Sequence, residues 1–175
     1  MTRALGRIFL AGLVAFDLTS DAAEWTSEEA RVSFHLPSNP DWAQISDPLE
    51  GRLVLQRTDR SAGVAFVASD KKAGPRILNE DFIERRERAN NLINPRAEKV
   101  SGGFFTFKGK RAYKASERVA KPGVKGVKVT NTYILWVEDE RLFEIAATKE
   151  DADPLQDTVI KEFIESMKFL LKSPK

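Results

Sequence analysis

Between residues 104 and 148 the chain alternates apolar and polar side chains through four successive segments, with only short turns between them. The segments are Phe104 to Lys108, Arg111 to Arg118, Val127 to Val137 and Arg141 to Thr148. The turns are Lys108-Gly109-Lys110, Pro122-Gly123 and Glu138-Asp139-Glu140, and Gly102-Gly103 supplies a further turn ahead of them. A period of two places successive side chains on opposite faces of a strand. Parallel neighbours need a crossover of roughly a dozen residues, and none fits here, so these strands pair antiparallel.

The same reasoning extends upstream. Arg31 to Leu36 sets Val32, Phe34 and Leu36 against Arg31, Ser33 and His35, until Pro37, Asn39 and Pro40 end the strand. Leu53-Val54-Leu55 and Val64 to Val67 flank the polar segment Asp59 to Gly63 and read as a hairpin. Lys71 to Pro75 then breaks the pattern.

Two stretches change to a helical period. A helix is predicted over 78–93, with Leu78, Phe82, Ile83, Ala89, Leu92 and Ile93 as its apolar face and Glu84 to Arg88 outside. Asn79 suits its cap, Glu80 and Asp81 suit the positive end of its dipole, and Asn94-Pro95 stops it. A second helix is predicted over 153–169, capped by Asp153, with Pro154 first and Val159, Ile160, Phe163, Ile164 and Met167 as its stripe. The expected fold is α+β: an antiparallel sheet of about six strands flanked by two main helices.

The chain has 175 residues, 42% hydrophobic and 31% charged, an ordinary balance for one globular domain. Arg3 and Arg7 precede the unbroken apolar run Ile8 to Phe16, and Ser20-Asp21-Ala22 follows as a small-x-small pattern. That is the pattern of a signal peptide cut after Ala22, although Asp17 interrupts the hydrophobic region early. The nine apolar residues are about half of the ~20 a membrane-crossing helix needs. The expected organisation is a leader over 1–22, a flexible segment over 23–30 and a single domain over 31–171. Its expected location is periplasmic or secreted, with no transmembrane segment in the mature chain.

Several of these segments resemble the PsbP-like domain family. SFHLP at Ser33 to Pro37, with Trp42 shortly after, looks like that family's opening strand and turn. GKRAYK at Gly109 to Lys114 resembles its central strand. Tyr133 to Trp136, Arg141 to Thr148 and the helix from Asp153 to Phe169 resemble its closing hairpin and C-terminal helix. The resemblance covers most of residues 30–170. It implies an antiparallel sheet with helices on both sides and a bias toward non-enzymatic accessory proteins, such as extrinsic photosystem subunits, assembly factors and bacterial envelope proteins of the DcrB-like kind. It carries over no site residue.

The catalytic vocabulary is thin. There is no cysteine, which removes thiol nucleophiles, disulfides and thiolate metal sites, and His35 is the single histidine. His35 reads either as a general base or as a polar residue on the outer side of its strand. No serine stands in a G-x-S-x-G context, and there is no phosphate loop or dinucleotide fingerprint. Glu138-Asp139-Glu140 and Glu150-Asp151-Asp153 can gather a hard cation, yet the first sits in a turn and the second suits a helix start. No cofactor is expected.

The most distinctive feature is basic. Lys108, Lys110, Arg111, Lys114, Arg118, Lys121, Lys125 and Lys128 face the single acid Glu117, a local +7 in a chain of net +2. In a strand, Lys108, Lys110, Lys114 and Arg118 share one side while Ala115 and Val119 turn inward. The strip reads either as a surface for an anionic partner or as a solvated face that keeps an edge strand from aggregating. Nucleic acid is disfavoured, because no aromatic residue beyond Tyr113 interleaves the strip to stack on bases. Trp25 is expected in the flexible segment and Trp136 under a helix. Trp42 either rims a binding surface or closes the end of the core.

The expected function is an exported, non-catalytic binding or accessory protein. Its partner is expected to be a protein or an anionic envelope component that meets Lys108, Lys110, Arg111, Lys114, Arg118, Lys121 and Lys125, with Trp42 contributing. The alternatives are a lipid or small-molecule carrier with a pocket between sheet and helix, and a small carboxylate-dependent hydrolase.

Overall fold

The computed structural model describes residues 23–45, 52–69, 77–121 and 123–170. The leader expected over 1–22, the break at Lys71 to Pro75 and the turn residue Pro122 lie outside them.

Among the described residues ten strands and two α-helices follow in the order β1 (Glu24–Ser27), β2 (Val32–His35), β3 (Trp42–Gln44), β4 (Arg52–Arg57), β5 (Ala62–Ala68), α1 (Glu80–Ile93), β6 (Glu98–Phe107), β7 (Lys110–Ala120), β8 (Lys128–Glu138), β9 (Arg141–Glu150), α2 (Thr158–Ser166) and β10 (Lys168–Phe169). The main sheet has seven strands in the order β3-β4-β5-β9-β8-β7-β6, and a smaller sheet has the order β1-β2-β10. Every pairing is antiparallel. The α+β class and the antiparallel sheet are as the sequence predicts, and the strands exceed the expected six.

Alternation within the strands divides the main sheet into two faces. One carries Phe66, Ala112, Ile134, Trp136, Phe143 and Ile145 toward α2 and the small sheet, where they meet Phe34, Ile160 and Phe163 in the principal core. Phe34 stacks on Phe163 with ring centroids 4.5 Å apart, and Trp136 stacks on Phe143 at 5.3 Å. The other face carries Tyr113 and Leu135 against Leu78 and Ile83 beneath α1. The sheet is therefore covered from both sides.

The tight hairpins follow from local chemistry. Lys108 and Gly109 (φ 47° and 77°) join β6 to β7, and Asp139 and Glu140 (φ 47° and 63°) join β8 to β9. Positive φ at both central residues is the turn whose twist matches paired strands.

Four expectations are corrected. Residues 24–27, expected to be flexible, form β1, because Trp25 packs against Phe34 and Phe66 with centroids 6.0 and 5.9 Å away. Gly102-Gly103 is not a turn: both lie within β6, opposite Ala115 and Lys114. A Cβ on Gly102 would sit 2.6 Å from the Tyr113 hydroxyl, so glycine there admits a close approach rather than a bend. The helix expected over 153–169 is divided. Asp153 caps a single 3₁₀ turn at Pro154–Gln156, Asp157 caps α2 in its turn, and the chain leaves the helix at Met167 to pair β10 with β2. Two capping aspartates four residues apart start two helices, not one.

The fourth correction concerns α1. Its cap is as predicted, with the Phe82 amide donating to Asn79 Oδ1 at 2.9 Å. Its apolar face is so only in part, with Leu78, Phe82 and Ile83 packed as expected. Ile83 is buried, whereas Leu92 is 85% and Ile93 75% exposed. Leu92 lies nine residues from Ile83, about two and a half turns, which puts it on the opposite side of the helix.

Candidate functional site

The basic strip occupies β7 and the loops at its two ends. β7 is the second strand from one edge of the main sheet, so its side chains are flanked by β6 and β8. Lys110, Lys114 and Arg118 share one face, with Ala112 between the first two, and Ala112 is part of the principal core. Arg111 lies on the other face with Tyr113, Ala115, Glu117 and Val119. The strip is therefore split across the sheet, and the residues expected to turn inward lie on the α1 side.

Neighbouring acids absorb part of its charge. Lys110 Nζ donates to Glu138 Oε1 at 2.8 Å and lies 5.3 Å from the Phe169 ring. Lys121 pairs with Glu150, and Lys128 pairs with Glu98 at 3.1 Å. Lys108 Nζ donates to the main-chain oxygen of Glu165 at 2.7 Å, at the last turn of α2 where carbonyls lack helical partners. Burial pulls the Lys108 ammonium below the usual lysine range, with Glu165 opposing. These four lysines stitch β7 and its turns to the rest of the fold.

Four cations stand apart from that stitching. Among the described residues no ion pair forms to Arg111, Lys114, Arg118 or Lys125. The Arg111 guanidinium rests 4.2 Å from the Phe104 ring and the Lys114 ammonium 5.9 Å from the Phe105 ring. Both cations belong to β7 and both rings to β6, so each charge reaches toward the sheet edge. Arg111, Arg118 and Lys125 are exposed.

Trp42 is elsewhere. β3 forms the opposite edge of the sheet, five strand spacings from β7, or roughly 24 Å at ~4.8 Å each. Its half-buried ring packs against the principal core and lines a hollow with Asp41, Arg57, Lys149 and Asp157. Trp42 and the strip are two surfaces, not one. His35 ends β2, exposed, opposite Glu24. Within the acidic clusters, Glu138 and Asp139 pair with Lys110 and Arg31, and Glu150 pairs with Lys121. The Asp151 side chain accepts the Lys128 amide, and Asp153 caps the 3₁₀ turn. Among the described residues no group of three or more histidines and carboxylates is placed to hold a metal ion.

The sequence gives no sign of a second polar constellation, which lies between α1 and the sheet. Glu87 Oε1 accepts from Lys99 Nζ and from the Tyr113 hydroxyl, each at 2.7 Å. Glu117 Oε1 accepts from the Tyr133 hydroxyl at 3.0 Å, and Arg86 pairs with Glu144 at 2.8 Å. The hydrogen bond from Lys99, aided by that from Tyr113, holds the Glu87 carboxyl below its usual range. Burial, with the bond to Glu87 second, pushes Tyr113 up to about 12, and burial also raises Tyr133. Partners 12 to 58 residues apart leave no local signature. Glu87, Lys99, Glu117 and Tyr133 line a groove of about 100 Å³ there.

No family model matches the chain, and no curated protein matches it in sequence. Among solved structures it is similar to cyanobacterial PsbP (CyanoP) of Synechocystis, at 14% identity and TM-score 0.55, over 90% of this chain and 98% of that one. It is similar to the Ran-binding protein Mog1p of Saccharomyces cerevisiae, at 10% identity and TM-score 0.54, over 86% and 96%. A Bacteroides thetaiotaomicron protein matches at 17% identity and TM-score 0.56, over 85% of this chain, which spans about half (48%) of that protein's length. The architecture is thus an antiparallel sheet sandwiched by helices, and its fold is the PsbP-like one that the sequence resemblance implied. No helix among the described residues is long and apolar enough to cross a membrane.

Proposed function

We propose that this chain is an exported, non-catalytic binding or accessory protein whose anionic partner contacts the cationic surface of β7. One observation carries the reading: Arg111, Lys114, Arg118 and Lys125 remain outside the ion pairs that bind the neighbouring lysines into the fold. Lysines needed only for cohesion would be paired like Lys110, Lys121 and Lys128. The solved relatives lend the reading support by analogy of fold, one of them being a Ran-binding protein. The partner surface is centred on these four residues. Lys108, Lys110 and Lys121 set its geometry, and Trp42 belongs to a separate hollow.

The alternatives draw less support. The groove beneath α1, at about 100 Å³, is smaller than the roughly 300–1,000 Å³ of small-molecule sites, which weighs against carriage. A carboxylate hydrolase needs an acid that keeps its proton near neutral pH, and Glu87 is shifted the other way.

Export rests on the leader reading of residues 1–22. A cut after Ala22 leaves β1, which begins at Glu24, whole. N-terminal sequencing of protein recovered from the exported fraction is expected to begin at Ala23; a chain recovered with Met1 intact contradicts export by cleavage. The binding claim is tested by reversing Arg111, Lys114, Arg118 and Lys125 to glutamate together. Loss of capture of an acidic partner supports it, and unchanged capture refutes it.

A further inference from the structure

β6 is an outermost strand of the main sheet, and among the described residues nothing pairs with its outer side. It runs for ten residues, long for an edge. An unpaired edge is a template for another strand, and proteins usually blunt it with charge, proline or a bulge. The bulge lies at Lys99 and Ser101, and beyond it the run 101–107 (SGGFFTF) holds neither charge nor proline. The two-residue turn makes Phe107 and Lys110 a hydrogen-bonded pair. Alternation then points the main-chain groups of Gly102, Phe104 and Thr106 away from β7.

Beside that edge one cation stands on each face, Arg111 sharing a shallow hollow with Glu80 and Asp81 at the start of α1. Arg111, opposite Thr106, lies over Phe104 on the α1 side. Lys114, opposite Gly103, lies over Phe105 on the α2 side. Gly103 adds a second indication. A Cβ there would meet nothing within 4 Å, so the fold does not require glycine as it does at Gly102. The bare position leaves the path of Lys114 to the edge clear.

We propose that β6 accepts an extended segment of the partner as an added strand, and that this segment carries two consecutive acidic residues. Successive side chains of a strand point to opposite faces, so one carboxylate meets Arg111 and the next meets Lys114. Rings on the same faces receive the aliphatic residues that flank the acidic pair. The inference rests on the proposed anionic partner and names its chemistry. A second copy of the chain fits poorly. Edge-to-edge pairing would set the Arg111 and Lys114 flanks of both copies together, with no acid in 101–107 to answer them.

The test uses the chain from Ala23 onward and the labelled peptide Thr-Val-Glu-Glu-Val-Thr, with Thr-Val-Lys-Lys-Val-Thr as its match. Added acidic peptide is expected to slow amide exchange at Gly102, Phe104 and Thr106 in the unmodified protein, leaving Gly103 and Phe105 unchanged. Thr106→Pro removes one outward donor at an exposed edge position where proline is tolerated, and is expected to weaken binding about tenfold. Should that variant fail to fold, the exchange pattern alone decides. Binding lost on Arg111→Glu with Lys114→Glu, but with no slowed amide and no effect of Thr106→Pro, overturns strand addition and leaves the anionic-partner reading standing. Equal affinity for the two peptides overturns both. A dimer whose β6 amides are already protected without peptide assigns the edge to a second copy and overturns the inference.

Discussion

Adjacent glycines in β6 do different work. At Gly102 a Cβ would strike the hydroxyl of Tyr113, which cannot swing away without leaving Glu87. Gly102→Ala is therefore expected to lower stability by about 1–2 kcal/mol, while Gly103→Ala changes it by less than about 0.5 kcal/mol, both measured by urea denaturation. The Glu87–Tyr113 pair also sets a pH signature. Glu87 is depressed below its ordinary value of 4.5, so its contribution is complete above that value and lost as pH falls through the folded-state value. Tyr113 is raised from 10 to about 12, so its contribution is complete below pH 10 and lost as pH rises toward 12. Tyr113→Phe is expected to flatten stability at the alkaline end and, with the Lys99 bond still in place, only partly at the acid end; denaturation curves identical in shape to the parent's across pH would contradict this. The sequence could not disclose this pair, since its members are 26 residues apart and join only when α1 lies across β7.

At the scale of elements, legibility follows length. β7, β8 and β9 run for ten or eleven residues, long enough for period two to be visible, and the antiparallel order of the closing strands was readable. β3 and β10 have three and two residues, too few to show a period, and β1, as short as the readable β2, lacks its apolar alternation. The pairing of β5 with β9 spans α1 and three strands and has no local trace. Helix caps were readable because the cap is a local bond, but Asp153 caps only the 3₁₀ turn and a second aspartate starts α2. Asp157 accepts from the Val159 and Ile160 amides and pairs with Lys149 at 2.8 Å. Asp157→Ala is expected to cost about 1–2 kcal/mol, and Asp153→Ala, which frees only the 3₁₀ turn, less. On α1, Ile83→Ala is expected to cost about 2–4 kcal/mol, whereas Leu92→Ser stays within about 0.5 kcal/mol, as thermal melts would register. An equal loss at both would mean that Leu92 is covered.

For the whole molecule, the sequence disclosed where the positive charge concentrates but not how the sheet divides it. A run of eight cations reads as one strip; folding sends Arg111 to one face and Lys110, Lys114 and Arg118 to the other, and answers Lys110, Lys121 and Lys128 with acids from nearby strands of the sheet. Trp42, close to the strip in no structural sense, sits at the far edge of the sheet. What remains is a cationic rim along β6 and β7, and attraction through exposed charge is screened beyond about 10 Å at 0.1 M salt. Partner binding is accordingly expected to weaken steeply between low and physiological salt. The most direct measurement compares capture by the chain from Ala23 onward with capture by Arg111→Glu/Lys114→Glu/Arg118→Glu/Lys125→Glu, once circular dichroism shows both folded. An acidic partner is expected to be bound by the first and absent from the second. The same partner bound equally by both would contradict it and return these four cations to the role of a solvated face.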